Sequence, residues 1–198
     1  MAPAAETGDD FEWVSDPATV MFCVTCVQNM SAEDLLSAVG ATRIGDTRWN
    51  AEDAQVVPFR QGDAGLRVAP AGEWSVLIEF HSLKGADGDW LREISRERTA
   101  VSYYHTGGGL ERFSLAVDGE VVTEFEPALA AHRTGSSPDH LVDDMRAVGI
   151  DPDGSSEHDH LGPATLELLA RLTGVRATSR MVVTERWPAG AIPRRRKH

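Results

Sequence analysis

The sequence predicts an α+β domain: a mostly antiparallel sheet that opens on a strand–helix unit, packs its helices on one face and ends in helices. Three observations carry that expectation. Strand-like runs dominate up to Phe125 and helical spacing takes over after Pro127, an order that segregates helices from an antiparallel sheet. Asp118-Gly119 sits between two alternating segments, among the strongest hairpin signals a sequence carries. The apolar run Val20-Met-Phe-Cys-Val-Thr-Cys-Val27 leads straight into Ser31-Ala-Glu-Asp34, a capped helix start after a buried strand.

In chain order, residues 1–9 read as a flexible tail, 10–187 as one domain and 188–198 as a basic flexible tail. Met30 is placed to staple against Leu35, Leu36 and Val39 share that helix's apolar face, and Gly40 stops it. Residues 41–65 form a long polar connection with a short strand or turn, anchored by Trp49, Val56, Val57 and Phe59. Gly65–Ala69 and Trp74–Phe80 are strands around Pro70-Ala-Gly72, the second apolar enough to be central. Asp87 caps a short helix turning Trp90, Leu91 and Ile94 inward, and Thr99–Thr106 returns to strand. The hairpin Arg112–Phe125 follows. Helices then start at Pro138 and Pro163 and stop at Gly149 and Gly174, with a last helix expected over Thr178–Trp187. The expected core includes Val24, Leu35, Val76, Ile78, Val101, Phe113, Leu115, Leu141 and Leu169.

The 198 residues are 41% hydrophobic and 25% charged, so disordered, collagen-like and disulfide-scaffold classes are excluded. Asp and Glu number 31 against 19 Lys and Arg, a formal charge of −12. Direct nucleic-acid binding needs a basic face, and this balance speaks against it. Cys23 and Cys26, the two cysteines, lie in an apolar run as expected of a reducing compartment. With no basic, apolar leader at the start and no apolar window approaching the ~20 residues of a membrane helix, the expected location is the cytoplasm. Only two of the basic residues are lysines, Lys84 and Lys197, a usage typical of GC-rich genomes.

Several segments together resemble an uncharacterised actinobacterial protein family. They are Phe22-Cys-Val-Thr25 with Met30-Ser-Ala-Glu-Asp-Leu-Leu36, then Trp74-Ser-Val-Leu-Ile-Glu79 and Thr99-Ala-Val-Ser102. Arg112-Phe113, Asp118-Gly-Glu-Val121, Phe125-Glu-Pro127, Pro138-Asp-His-Leu141, Met145-Arg-Ala-Val-Gly149 and Leu172-Thr-Gly-Val175 complete a collinear match over most of residues 11–185. Cys26 and Gln28-Asn29 depart from it. The resemblance implies fold and origin and carries no assigned activity.

Candidate chemistry is sparse. Cys23-Val-Thr-Cys26 has redox-motif spacing, but within a strand the two thiols face opposite ways, so a structural role is expected. Glu157-His-Asp-His160 gathers ligand-type side chains, with His158 and His160 on one side of an extended segment. Its Ser- and Gly-rich flanks fit a solvated link, and neither metal nor cofactor is expected. Tyr103-Tyr-His105-Thr-Gly-Gly-Gly109 leads into a strand rather than a helix, so it lacks the build of a phosphate cradle. Glu79 and His81 end a central strand. With His105 they mark the candidate site of a small-ligand binder or enzyme, and His105 with Arg112 beside the Gly loop is a candidate ligand or partner contact. The preferred expectation is a non-catalytic regulatory or immunity-type protein, docking a basic protein partner through its acidic surface with Trp13, Trp49 and Trp187 as spare aromatics. Of these, Trp49 and Trp187 are the candidate anchors.

Overall fold

The computed structural model describes residues 11–15, 19, 21–48, 64–80, 82–107, 109–154 and 161–192. Their centre is an eight-stranded sheet, antiparallel at every pairing. Its strands are β1 (Met21–Gln28), β2 (Thr42–Thr47), β3 (Ala64–Ala71), β4 (Trp74–Phe80), β5 (Thr99–Thr106), β6 (Glu111–Val117), β7 (Glu120–Phe125) and β8 (Trp187–Ile192). They lie in the order β2-β8-β3-β4-β1-β5-β6-β7. The α+β class and the antiparallel sheet are as the sequence predicts.

Helices cover both faces rather than one. β4 is buried at every residue, so a layer must cover each of its faces, including the one that carries Ser75 and Glu79. Phe22, Val24, Cys26, Val76, Ile78, Val101 and Tyr103 meet α3 (Val142–Ala147) and α4 (Leu161–Thr173) through Met145, Leu166 and Leu169. On the other face Val27, Val68, Leu77, Ala100 and Ala116 pack under α1 (Ala32–Ala38) and α2 (Gly88–Ile94), which supply Leu35, Leu36, Trp90, Leu91 and Ile94. The expected caps hold these short helices. Ser31 Oγ accepts from the Asp34 N–H and Asp87 from the N–H groups of Asp89 and Trp90. All nine expected core residues are 5% exposed or less.

The C-terminal segment departs from the expected helix and tail. Residues 180–184 form a single π-helical turn, and the chain does not leave the fold at 187. It enters the sheet as β8, between β2 and β3. Trp187-Pro-Ala-Gly-Ala-Ile192 is poor in β-branched residues, so no local propensity announces it. The position is set by neighbours instead. A Cβ on Gly190 would lie 2.8 Å from Ala41 Cβ and 2.9 Å from Leu36 Cδ1, so only glycine lets α1 sit this close.

The Asp118-Gly119 turn joins β6 to β7 as predicted, with φ of +51° and +83°, the type I′ signature. Gly119→Ala puts a side chain in a left-handed conformation and should cost about 1 kcal/mol. Thermal melts should then shift down by about 2–4 °C; an unchanged melting temperature would mean the turn re-forms in another geometry. The outer edge of β7 is covered by Thr134–Ser137, whose Ser136 and Ser137 N–H groups donate to the carbonyls of Val121 and Val122 (3.1 and 2.9 Å).

Candidate functional site

The side chains expected to form one site are divided by the sheet. Cys23 stands opposite Glu79 on one side and Tyr104 on the other, whereas Phe22 stands opposite Phe80 and His105. Alternation therefore sends Glu79 to the α1/α2 face and His105 to the opposite face. Arg112, in register with Tyr104, shares the Glu79 face, where it approaches Glu124 at 3.9 Å. A joint Glu79–His105 site is thus ruled out by register. His81, Trp49, His158 and His160 lie outside the described residues.

Glu79 is fully buried and belongs to a polar cluster beneath the turn Lys84–Ala86. It accepts from Ser82 Oγ (2.7 Å), the Lys84 N–H (3.0 Å) and the Gly85 N–H (2.8 Å). Ser102 Oγ donates to the Gly85 carbonyl at 2.7 Å and lies 3.0 Å from Thr25 Oγ1 and 3.3 Å from Cys23 Sγ. Burial raises the Glu79 pKa above its ordinary value, more than its hydrogen bonds lower it. Burial likewise raises the Cys23 thiol, helped by the charge of Glu79, and pushes Cys26 up to about 12. Two protonated, fully buried thiols on opposite faces are packing groups. Glu79 is an anchor for a turn, not a group presented to solvent.

His105 has a different setting. Its Nδ1 lies 2.8 Å from Glu111 Oε1, while Tyr103 Oη donates to Glu111 Oε2 at 3.0 Å. Its ring stacks on Phe22, centroids 5.1 Å apart and planes 22° off parallel. The side chains of His105 and Glu111 retain 17% and 14% exposure. Burial, and then the charge of Glu111, raise the Tyr103 phenol well above its usual pKa, so it stays a donor. Sequence reading singled out neither Glu111 nor the Tyr103 hydroxyl. A signal was there: His105 and Glu111 are equally distant from the middle of Gly107–Gly109, so a β5–β6 hairpin sets them face to face.

The tryptophans divide too. Trp13 is 4% exposed, with Nε1 donating to the Ala177 carbonyl at 2.7 Å, so it is a core residue and no docking anchor. Trp187 is half-buried at the start of β8 and donates from Nε1 to the Met181 carbonyl at 2.9 Å. Among the described residues no helix is long and apolar enough to cross a membrane.

These features define an eight-stranded antiparallel α+β protein with a part-buried histidine–carboxylate pair at one end of a central hairpin. The chain matches the model of a family of unknown function, DUF6461, over residues 4–197 and belongs to that family. No curated protein and no solved structure matches it.

Proposed function

We propose that the protein is a non-catalytic cytoplasmic binding or regulatory protein of actinobacterial origin that docks a basic protein partner. The observation that carries this reading is the formal charge of −12 combined with how the basic side chains are used. Arg43 pairs with Glu33, Arg92 with Asp89, Arg133 with Asp139, Arg171 with Asp144, Arg176 with Glu167 and Arg180 with Glu185. Exposed pairs of this kind add only ~0–1 kcal/mol each to stability. They do neutralise the arginines locally, leaving the surplus carboxylates to set the long-range field. The separation of Glu79 from His105 weighs the same way, because the competing ligand site was to combine them.

A negative field accelerates encounter with a basic surface. Affinity capture from the native cytoplasm at low salt, followed by stopped-flow mixing with the purified partner, tests this. The association rate should fall at least tenfold as the Debye length shortens from about 30 Å at 0.01 M salt to about 10 Å at 0.1 M. Trp187→Ala should raise the dissociation rate, since buried aromatics govern residence time. A salt-independent association rate, or a metabolite retained stoichiometrically with no macromolecule, would overturn the reading.

A further inference from the structure

We propose that Tyr103, Glu111 and His105 form a proton-accepting site, with Nε2 of His105 as the base for a small molecule bearing an acidic O–H or N–H group. The proposal is independent of docking and rests on orientation. Both oxygens of Glu111 are engaged, one by His105 Nδ1 and the other by Tyr103 Oη, so the carboxylate cannot turn away. A carboxylate at Nδ1 holds the proton there and leaves the Nε2 lone pair directed away from it. The stack on Phe22 fixes the ring plane as well. One imidazole is thus held through its edge and its face.

A plain cross-strand pair does not need this. Register alone brings His105 and Glu111 together, and an apolar pair there would avoid the desolvation of a carboxylate and a phenol. Instead a fully buried tyrosine spends its hydroxyl on Glu111. The outcome is a carboxylate–imidazole pair oriented through Nδ1, with 17% of the histidine side chain still exposed, the arrangement by which a carboxylate fixes an imidazole's tautomer.

Diethyl pyrocarbonate, applied to the intact chain, reads the availability of Nε2. The lone pair attacks a carbonyl carbon and the bond to the ethyl carbonate group breaks. The departing group takes up the Nδ1 proton and decays to ethanol and carbon dioxide. Exposed His132 and His140 are internal controls. Peptide mass spectrometry should show His105 reacting at least threefold faster than either, although its side chain is only 17% exposed. In Glu111→Gln its rate should drop about tenfold, with His132 and His140 unchanged as evidence of an intact fold. Reaction of His105 slower than both controls, or a rate indifferent to Glu111→Gln, would overturn the proposal. Nitrogen-15 NMR of the unmodified protein adds a readout that needs no variant. At pH 8 the Nδ1–H tautomer supports the site, and the Nε2–H tautomer refutes it.

Discussion

Gly85→Ala is expected to lower the melting temperature by about 8–16 °C, far more than a methyl group on a surface turn should. Gly85 is buried at the bottom of the turn that follows β4. Its absent side chain is what lets the backbone descend onto the sheet. A Cβ there would overlap Thr25 Oγ1 deep inside van der Waals contact, and would lie 2.6 Å from Cys23 Sγ and 3.1 Å from Glu79 Oε2. Thr25 and Cys23 are short, fully buried and tied to Ser102, so they cannot swing aside. The turn must lift. Lifting stretches the Gly85 N–H bond to Glu79 and the Ser102 bond to the Gly85 carbonyl. Overpacking adds about 1–3 kcal/mol, and a buried carboxylate stripped of a donor adds about 1–3 more, giving roughly 4 kcal/mol as a central figure. Thr25→Ala removes the nearest obstructing atom and should recover part of the loss in the double variant, a coupling that a double-mutant cycle measures. A fall under 2 °C, or no recovery, would show that the turn yields without strain.

How much was legible follows from where each signal resides. The Ser31 and Asp87 caps, the Asp118-Gly119 turn and the apolar strands β1, β4 and β6 are local patterns, and each forms where its residues predict. β8 is not local. Pro188 and Gly190 give it no strand propensity. It lies between β2 and β3, where Leu36 and Ala41 leave room only for glycine at 190. The second helical layer was less legible, because the face of Trp74–Phe80 that it covers carries Ser75 and Glu79 beside Leu77 and reads as half-polar. Within β1, alternation alone puts Cys23 and Cys26 on opposite faces, as expected. Joining Glu79 to His105 required the register between β4, β1 and β5, and one residue of offset puts them on opposite faces. The same register delivers Glu111 to His105.

The second large effect concerns Glu79 and its dependence on pH. Glu79→Gln should destabilise at every pH, because the amide nitrogen replaces an acceptor that now receives an N–H. Oε1 takes Ser82 Oγ and the Lys84 N–H, Oε2 takes the Gly85 N–H, and an NH2 at either position faces a donor. One buried donor left unmatched costs about 1–3 kcal/mol. The sign of the pH dependence comes from burial, which raises the folded-state pKa of Glu79 above its ordinary value. A carboxyl so raised binds its proton more tightly folded than unfolded. Its contribution is therefore greatest below the unfolded value of about 4.3 and is lost as pH rises through the folded pKa. The wild type bears this loss and Glu79→Gln does not, so the deficit of the variant should be widest near pH 4 and narrow toward pH 8. Asp87 runs the other way. Its pKa is lowered, chiefly by the Lys84 hydrogen bond, so its contribution holds above its unfolded pKa and fades in acid, but it is present in both proteins and cancels in the difference. Urea unfolding of the pair at several pH values measures the gap. A deficit that widens with pH would mean that the three donors, rather than burial, decide the protonation of Glu79.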